Sequence, residues 1–284
     1  MKLALFPINV GVRSLEQMVA IAVQAEEAGF ESVWTAEHAI VPLDYGSKYP
    51  YDASGKMGAT PETNFVDPLI ALTAVAAGTT NLRLGTGVNI LSQSNPLTLA
   101  KQAASVDLLS DGRLMLGLGI GWLREEFVAM GTPFERRGAR FDDYVQAMRK
   151  VWSGDVVEHE SEFLSWHGFK SYPVPVQNPL PVVMGGTKGK IFERTAKYGD
   201  GWFAIGAPGH IAGMMDKLRA ACDAVGRDPS EIEISAMWPG TGGSAAIKEF
   251  ADVGVHRLVV PVAGMGRERG ETMKRLVEEA GGPE

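Results

Sequence analysis

Apolar positions along the chain fall into short unbroken runs that alternate with longer segments of helical spacing. Leu3–Ile8 is one such run, and after it Leu15, Met18, Val19 and Ala22 share one helical face. Ser14 and Gln17 stand at capping-box spacing before that face, and Gly29 follows its last turn. The next run, Ser32–Thr35, precedes a helix opened by Asp67-Pro68, a capping side chain followed by a proline at the first helical position. Leu82–Val88 reads as the third strand. Its helix opens at Asn95-Pro96 and carries Leu97, Ala100, Ala104 and Leu108, before Asp111-Gly112 turns the chain. Leu114–Leu118 is the fourth strand, and the helix from about Arg137 to Trp152 holds Phe141, Tyr144, Val145, Met148 and Val151 in register.

The alternation continues with strands at Val182–Met184, Gly201–Ile205, Ile232–Ala236 and Arg257–Val260. The helices between them include Lys190–Tyr198, a stripe of Ile211, Met214, Met215, Leu218, Cys222 and Val225 ended by Gly226, and a short one through Ile247 and Phe250. A charged helix closes the series. Strands that are apolar throughout, each followed by a helix, predict a parallel sheet with its outer face covered. Eight units suit a closed (β/α)8 barrel, while an open doubly wound sheet accommodates the same order. Two stretches exceed ordinary connections, about 39–66 after strand two and 153–181 before strand five. The first lies where barrel enzymes build their sites, and with Tyr45, Tyr49, Tyr51 and Met57 it is a lid candidate or a loop packed on its own barrel.

Length and composition narrow this picture. The 284 residues, 1–284, suit one barrel domain with two insertions. A net charge of −7 opposes a nucleic-acid surface. No run reaches the length of a membrane span, and the start of the chain lacks the features of a signal peptide. Cys222 is the one cysteine, so an intrachain disulfide is excluded and a reducing, cytoplasmic setting is expected. Glycine is the outlier: 34 residues, about 12% against a usual level of about 7%.

Most residues able to do chemistry follow strands. Glu37-His38 lies just past strand two, where a histidine beside a carboxylate suits general acid–base work or a plain hydrogen-bonded loop. His159, His167, His210 and His256 lack metal-ligand spacing, and no metal site is expected. The glycines of Gly85-Thr86-Gly87-Val88-Asn89 permit close approach of a flat ligand, or simply a tight turn. Gly117, Gly119 and Gly121 fail the dinucleotide fingerprint, because neither register places a glycine third. Gly185-Gly186-Thr187 precedes a helix, with Lys188, Lys190 and Arg194 nearby; exposed amides there suit an anion, although a connecting loop explains the same residues. Arg136, Arg137 and Arg140 read as capping or salt-bridging residues. A nucleophile elbow is missing, and Cys222 sits on an apolar stripe.

Taken together, Val33–His38, Asn81–Val88, Gly112-Arg113-Leu114, Gly117–Trp122 with Glu125-Glu126-Phe127, Gly185-Gly186 and Gly199–Trp202 resemble the luciferase-like monooxygenase family. Tyr49-Pro50-Tyr51, Asp67-Pro68, Leu109–Arg113 and Phe134–Gly138 are similar to its F420-dependent oxidoreductase branch. The resemblance implies a (β/α)8 TIM barrel holding a deazaflavin or flavin at its carboxyl face. It implies a non-prolyl cis peptide at Gly87-Val88 forming a bulge behind the ring, an acidic cofactor contact at Glu37 and an active-site histidine at His38. It places the cofactor phosphate at Gly185 and Gly186, beside Thr187, and the strand-four loop at Gly121 and Trp122. Around Asn9 there is no counterpart of the acid that some sugar-phosphate-oxidising relatives carry, which argues against that substrate; Ser94 stands where many close relatives have arginine.

The function expected is hydride transfer between F420 and a small organic substrate, with His38 moving the proton. An FMN-dependent monooxygenase using reduced flavin and oxygen is the alternative on the same fold. A non-catalytic flavin-binding protein and a cofactor-free barrel lyase or isomerase are alternatives of other classes, the last lacking the catalytic lysine or clustered carboxylates it would need. A homodimer is expected from the family pattern.

Overall fold

The computed structural model describes residues 1–266 and 268–282. In chain order its elements are β1 (Lys2–Phe6), α1 (Leu15–Ala28), β2 (Ser32–Thr35), α2 (Pro68–Gly78), β3 (Arg83–Thr86), β4 (Asn89–Ile90), α3 (Pro96–Leu109), β5 (Leu114–Gly119), α4 (Arg124–Ala129) and α5 (Arg137–Val151). They continue with β6 (Val157–Glu160), β7 (Ser165–Phe169), β8 (Val182–Gly185), α6 (Ile191–Tyr198), β9 (Gly201–Ala204), α7 (Pro208–Val225), β10 (Glu233–Met237), α8 (Gly243–Asp252), β11 (Arg257–Pro261) and α9 (Arg269–Glu279). Strands β1, β2, β3, β5, β8, β9, β10 and β11 pair in that order, all parallel, and β11 pairs back onto β1 through Lys2–Arg257 and Phe6–Pro261. The closed barrel is therefore the observed solution and the open sheet is excluded.

Local signals account for the helix ends. Ser14 Oγ accepts from the Gln17 amide at 3.2 Å, while the Gln17 side chain accepts from Arg13 rather than completing the box on Ser14 itself. Asp67 caps Leu69 and Ile70, and Asn95 caps Leu97 and Thr98. Gly29 ends α1 at φ 93°, a left-handed conformation that glycine adopts without steric cost. The buried face of α3 runs through Leu99, Ala100, Ala103, Ala104 and Val106, so Leu108 on the expected stripe is instead exposed, as is Leu15 on α1.

Alternate strand positions point inward, and Ala4, Trp34, Met115, Val183, Phe203 and Val259 form the barrel interior. A Cβ on Gly85 would lie 2.4 Å from Trp34 Cδ2, so this glycine makes room for the indole. The amino-terminal end is closed by Arg257, fully buried, whose guanidinium meets Glu31 at 2.7 Å, Glu233 at 2.7 Å and Ser235 at 2.9 Å.

One expectation needs correction. The third strand does not run through to Val88: it stops at Thr86, turns through a cis Gly87-Val88 peptide and resumes as β4 beside β5. Within the 153–181 insertion β6 and β7 pair in an antiparallel hairpin. No helix among the described residues is long and apolar enough to cross a membrane.

Candidate functional site

The loops at the carboxyl ends of the strands enclose a cavity of about 520 Å³. The residues the resemblance assigns to cofactor and catalysis all line it: Glu37, His38, Gly87, Val88, Gly121, Trp122, Gly185, Gly186 and Thr187. Gly119 lines it too.

Asn9 fixes the start of the site. It is fully buried at the end of β1; its Oδ1 accepts from the Ala36 amide at 2.9 Å, and its Nδ2 donates to the carbonyls of Ala36 at 2.8 Å and Val66 at 2.6 Å. One side chain thus ties both ends of the 39–66 insertion to β1 and sets the backbone just before Glu37 and His38. Glu126, buried on α4, does the rest: its Oε2 lies 2.9 Å from His38 Nδ1 and its Oε1 accepts from the Ala39 amide at 2.6 Å. The carboxyl group makes Nδ1 the donor of this pair. That leaves Nε2, which has no partner among the described residues, as the ring nitrogen available to the cavity. Phe65 and Trp122 hold the imidazole edge-on, at 5.5 and 6.1 Å between ring centres.

Glu37 is tuned separately. Burial pushes its carboxyl up to about 7; donors from the Ile90 amide and from Asn89 Nδ2 pull it down, and the charges of Glu126 and Asp67 add to the rise. Near neutrality this group is poised between donor and acceptor. Asn89 Oδ1, beside it, is buried without a partner.

Glycines shape the floor. Val88 sits between β5 and β8, and a Cβ on Gly119 or on Gly185 would come within 2.6 or 2.5 Å of its methyl groups. The Gly87-Val88 bulge can occupy the barrel mouth because both neighbouring strands carry no side chain there. Beyond it, Gly186 takes φ 134°, and α6 begins without a side-chain cap, so its first-turn amides are open to an acceptor. Lys188 lines the cavity at this end; Arg194 does so while bound to Asp142 at 2.6 Å. Lys190 is not part of the lining. Arg137, read from the sequence as a capping residue, also lines the cavity, its Nε donating to the Gly121 carbonyl at 3.1 Å and its guanidinium lying over Phe134.

Sequence reasoning missed Glu126, Asn9 and Arg137 as site residues. For Glu126 the signal was an acid set between Leu123 and Phe127, both apolar and both buried. The site therefore has a hydrogen-bonded histidine–carboxylate pair and a tuned carboxyl group at one end, and a cationic, amide-rich turn at the other.

The model of the luciferase-like monooxygenase family matches residues 6–239. A Mycobacterium tuberculosis protein described as uncharacterised is 33% identical over 211 residues, covering 74% of each chain. An F420-dependent hydroxymycolic acid dehydrogenase of the same species is 28% identical over 242 residues, 84% of this chain and 62% of its own. In fold, a solved F420-dependent secondary alcohol dehydrogenase, in complex with an F420–acetone adduct, superposes with a TM-score of 0.79 over 98% of both chains at 16% identity. With the family model spanning most of the chain and the barrel closed as observed, the protein belongs to the luciferase-like monooxygenase family.

Proposed function

We propose that the protein is an F420-dependent oxidoreductase that transfers a hydride between the deazaflavin and a small organic substrate. The observation that carries this reading is the cavity's polarity: the His38–Glu126 pair with Glu37 at one end, the uncapped start of α6 with Lys188 at the other. A phosphorylated, flat-ringed cofactor fits this arrangement. The glycine bed that seats Val88 brings backbone rather than side chains to the cavity floor, and the Gly185–Thr187 turn offers amides and a cation to a phosphate. The 28%-identical dehydrogenase, named for its F420 dependence, supports the choice of deazaflavin.

In this reading Gly185, Gly186 and Thr187 hold the phosphate, and Val88, Gly121 and Trp122 border the ring. Glu37 contacts the ring's polar edge. The cofactor supplies the hydride. His38 gives or takes the accompanying proton at Nε2, and Glu126 keeps that nitrogen aimed at the cavity. The 39–66 loop covers this end and excludes water.

Parallel titration of the purified protein with F420 and FMN tests the reading. Tighter binding of F420 is expected, with turnover lost in His38→Ala and cofactor binding retained. Tighter binding of FMN replaces the proposal with a flavin monooxygenase, and binding without any redox turnover reduces it to a carrier.

A further inference from the structure

Resting on that redox reading, we infer that Tyr51 on the 39–66 loop is a phosphate-binding residue: its hydroxyl donates to the anion held by the Gly185–Thr187 turn, so that the loop selects phosphorylated over unphosphorylated forms of one ring. The first half of the loop is fastened at the His38 end of the cavity. Glu126 accepts from the Ala39 amide at 2.6 Å, and its neighbour on α4, Glu125, accepts from the Gly46 and Ser47 amides at 2.7 and 3.2 Å. From there the loop runs to the other end. Tyr49 packs edge-on against Trp122 at 5.2 Å and Tyr51 against Tyr49 at 5.5 Å, a row of rings that ends at the turn. Tyr51 Oη lies 4.0 Å from the position that a Cβ on Gly186 would take.

The turn that Tyr51 faces is held from behind, because the buried Trp202 donates from Nε1 to the Gly186 carbonyl at 2.8 Å. Uncapped amides of α6 and the charge of Lys188 meet at this place. Tyr51 is 38% exposed, yet its hydroxyl end is the part turned to Gly186, and that hydroxyl has no hydrogen-bond partner among the described residues. Burial, with Tyr49 beside it, pushes the phenol up to about 12, so it stays a donor at neutral pH. Hydroxyl, cation and helix amides converging on one turn suit an anion with several acceptor oxygens, as a phosphate has. The loop tip, residues 48–55, makes no hydrogen bond to the barrel among the described residues; it closes on itself through the Tyr49 and Gly55 amides at 2.8 and 3.0 Å. A bond from Tyr51 to phosphate is then the one polar tie between tip and turn. Phosphate fixes the tip, and a ring without phosphate leaves it loose.

Two ligand pairs that differ only in the phosphate make the test: the F420 deazaflavin with its ribityl chain, with and without a 5′-phosphate, and FMN against riboflavin. Dissociation constants are measured by fluorescence, and hydrogen exchange at the amides of residues 48–57 by mass spectrometry, for the unmodified protein and for Tyr51→Phe. In whichever pair binds, the phosphorylated member is expected to slow exchange at 48–57 by about tenfold or more and the other by less than about twofold. Tyr51→Phe keeps the ring and its packing. It is expected to bind the phosphorylated member about tenfold more weakly, the loss of one hydrogen bond to a charged group, to bind the other as before and to lose the protection. The same contrast in the FMN pair alone removes the deazaflavin reading and upholds the role of Tyr51. Equal protection by both members of a pair, a Tyr51→Phe protein that keeps its affinity or weakens for both alike, or no binding of any of the four overturns the inference.

Discussion

Glu126→Gln keeps the size of the side chain but places an amide where His38 Nδ1 and the Ala39 amide both need an acceptor. Either one contact is lost or the imidazole must switch tautomer so that Nδ1 accepts from the amide NH2. In the proposed reaction turnover is expected to fall at least about 10-fold through kcat, with little change in KM, because His38 loses the carboxylate that fixes its tautomer and orientation. Steady-state kinetics that show the loss in KM alone would mean that Glu126 shapes binding rather than the proton donor. Glu37 makes a different prediction. Its folded-state carboxyl sits near 7, above the ordinary 4.5, so between those values the folded protein holds a proton that the unfolded chain has lost. Its contribution is fully present below about 4.5 and is lost as pH rises through 7, a change of no more than about 3 kcal/mol. Glu37→Gln should flatten stability across this window in urea titrations at several pH values. Glu37 and His38 were legible because they sit side by side after a strand. Glu126 and Asn9 were not, since a loop histidine names no partner 88 residues away and a buried asparagine shows its three bonds only once the loops have met.

Among the elements, the seat of Val88 is the most exacting. Gly119→Ala or Gly185→Ala would press a methyl group against Val88 and force the bulge to move, at a cost of about 1–3 kcal/mol. Urea denaturation checks the stability term, and weakened cofactor binding is expected alongside it. The pattern carries the third strand through this bulge because Leu82–Val88, Arg83 apart, is apolar or small, and periodicity carries no mark of a peptide that turns. The β6–β7 hairpin was overlooked for another reason. Val157 and His159 are buried while Glu158 and Glu160 are exposed, a regular alternation, but it occupies four residues beside a proline-rich stretch. The main helices, by contrast, announced themselves through caps at Ser14, Asp67 and Asn95 that the structure reproduces.

At the scale of the whole molecule, stability depends on the closed end of the barrel. Burial alone would raise the Glu233 carboxyl, but the charge of Arg257 and hydrogen bonds from Lys2 and Arg257 outweigh it and hold the group at about 2. Its stabilising contribution is present above about 4.5 and lost as pH falls through 2, so Glu233→Gln should narrow the gap in stability between neutral and strongly acidic solution. Arg257→Met strands Glu31 and Glu233 together and is expected to cost about 3–5 kcal/mol, measurable as a lowered thermal midpoint. The pairing of β1 with β11 has a further consequence, in time rather than energy. Until the ribosome has delivered Arg257–Pro261, β1 has no neighbour on its outer side; at about 5–20 residues per second that wait lasts roughly 15–50 s. A nascent chain stalled before β11 would present two unpaired strand edges at once, and chaperone capture should peak there and cease when the last strand emerges.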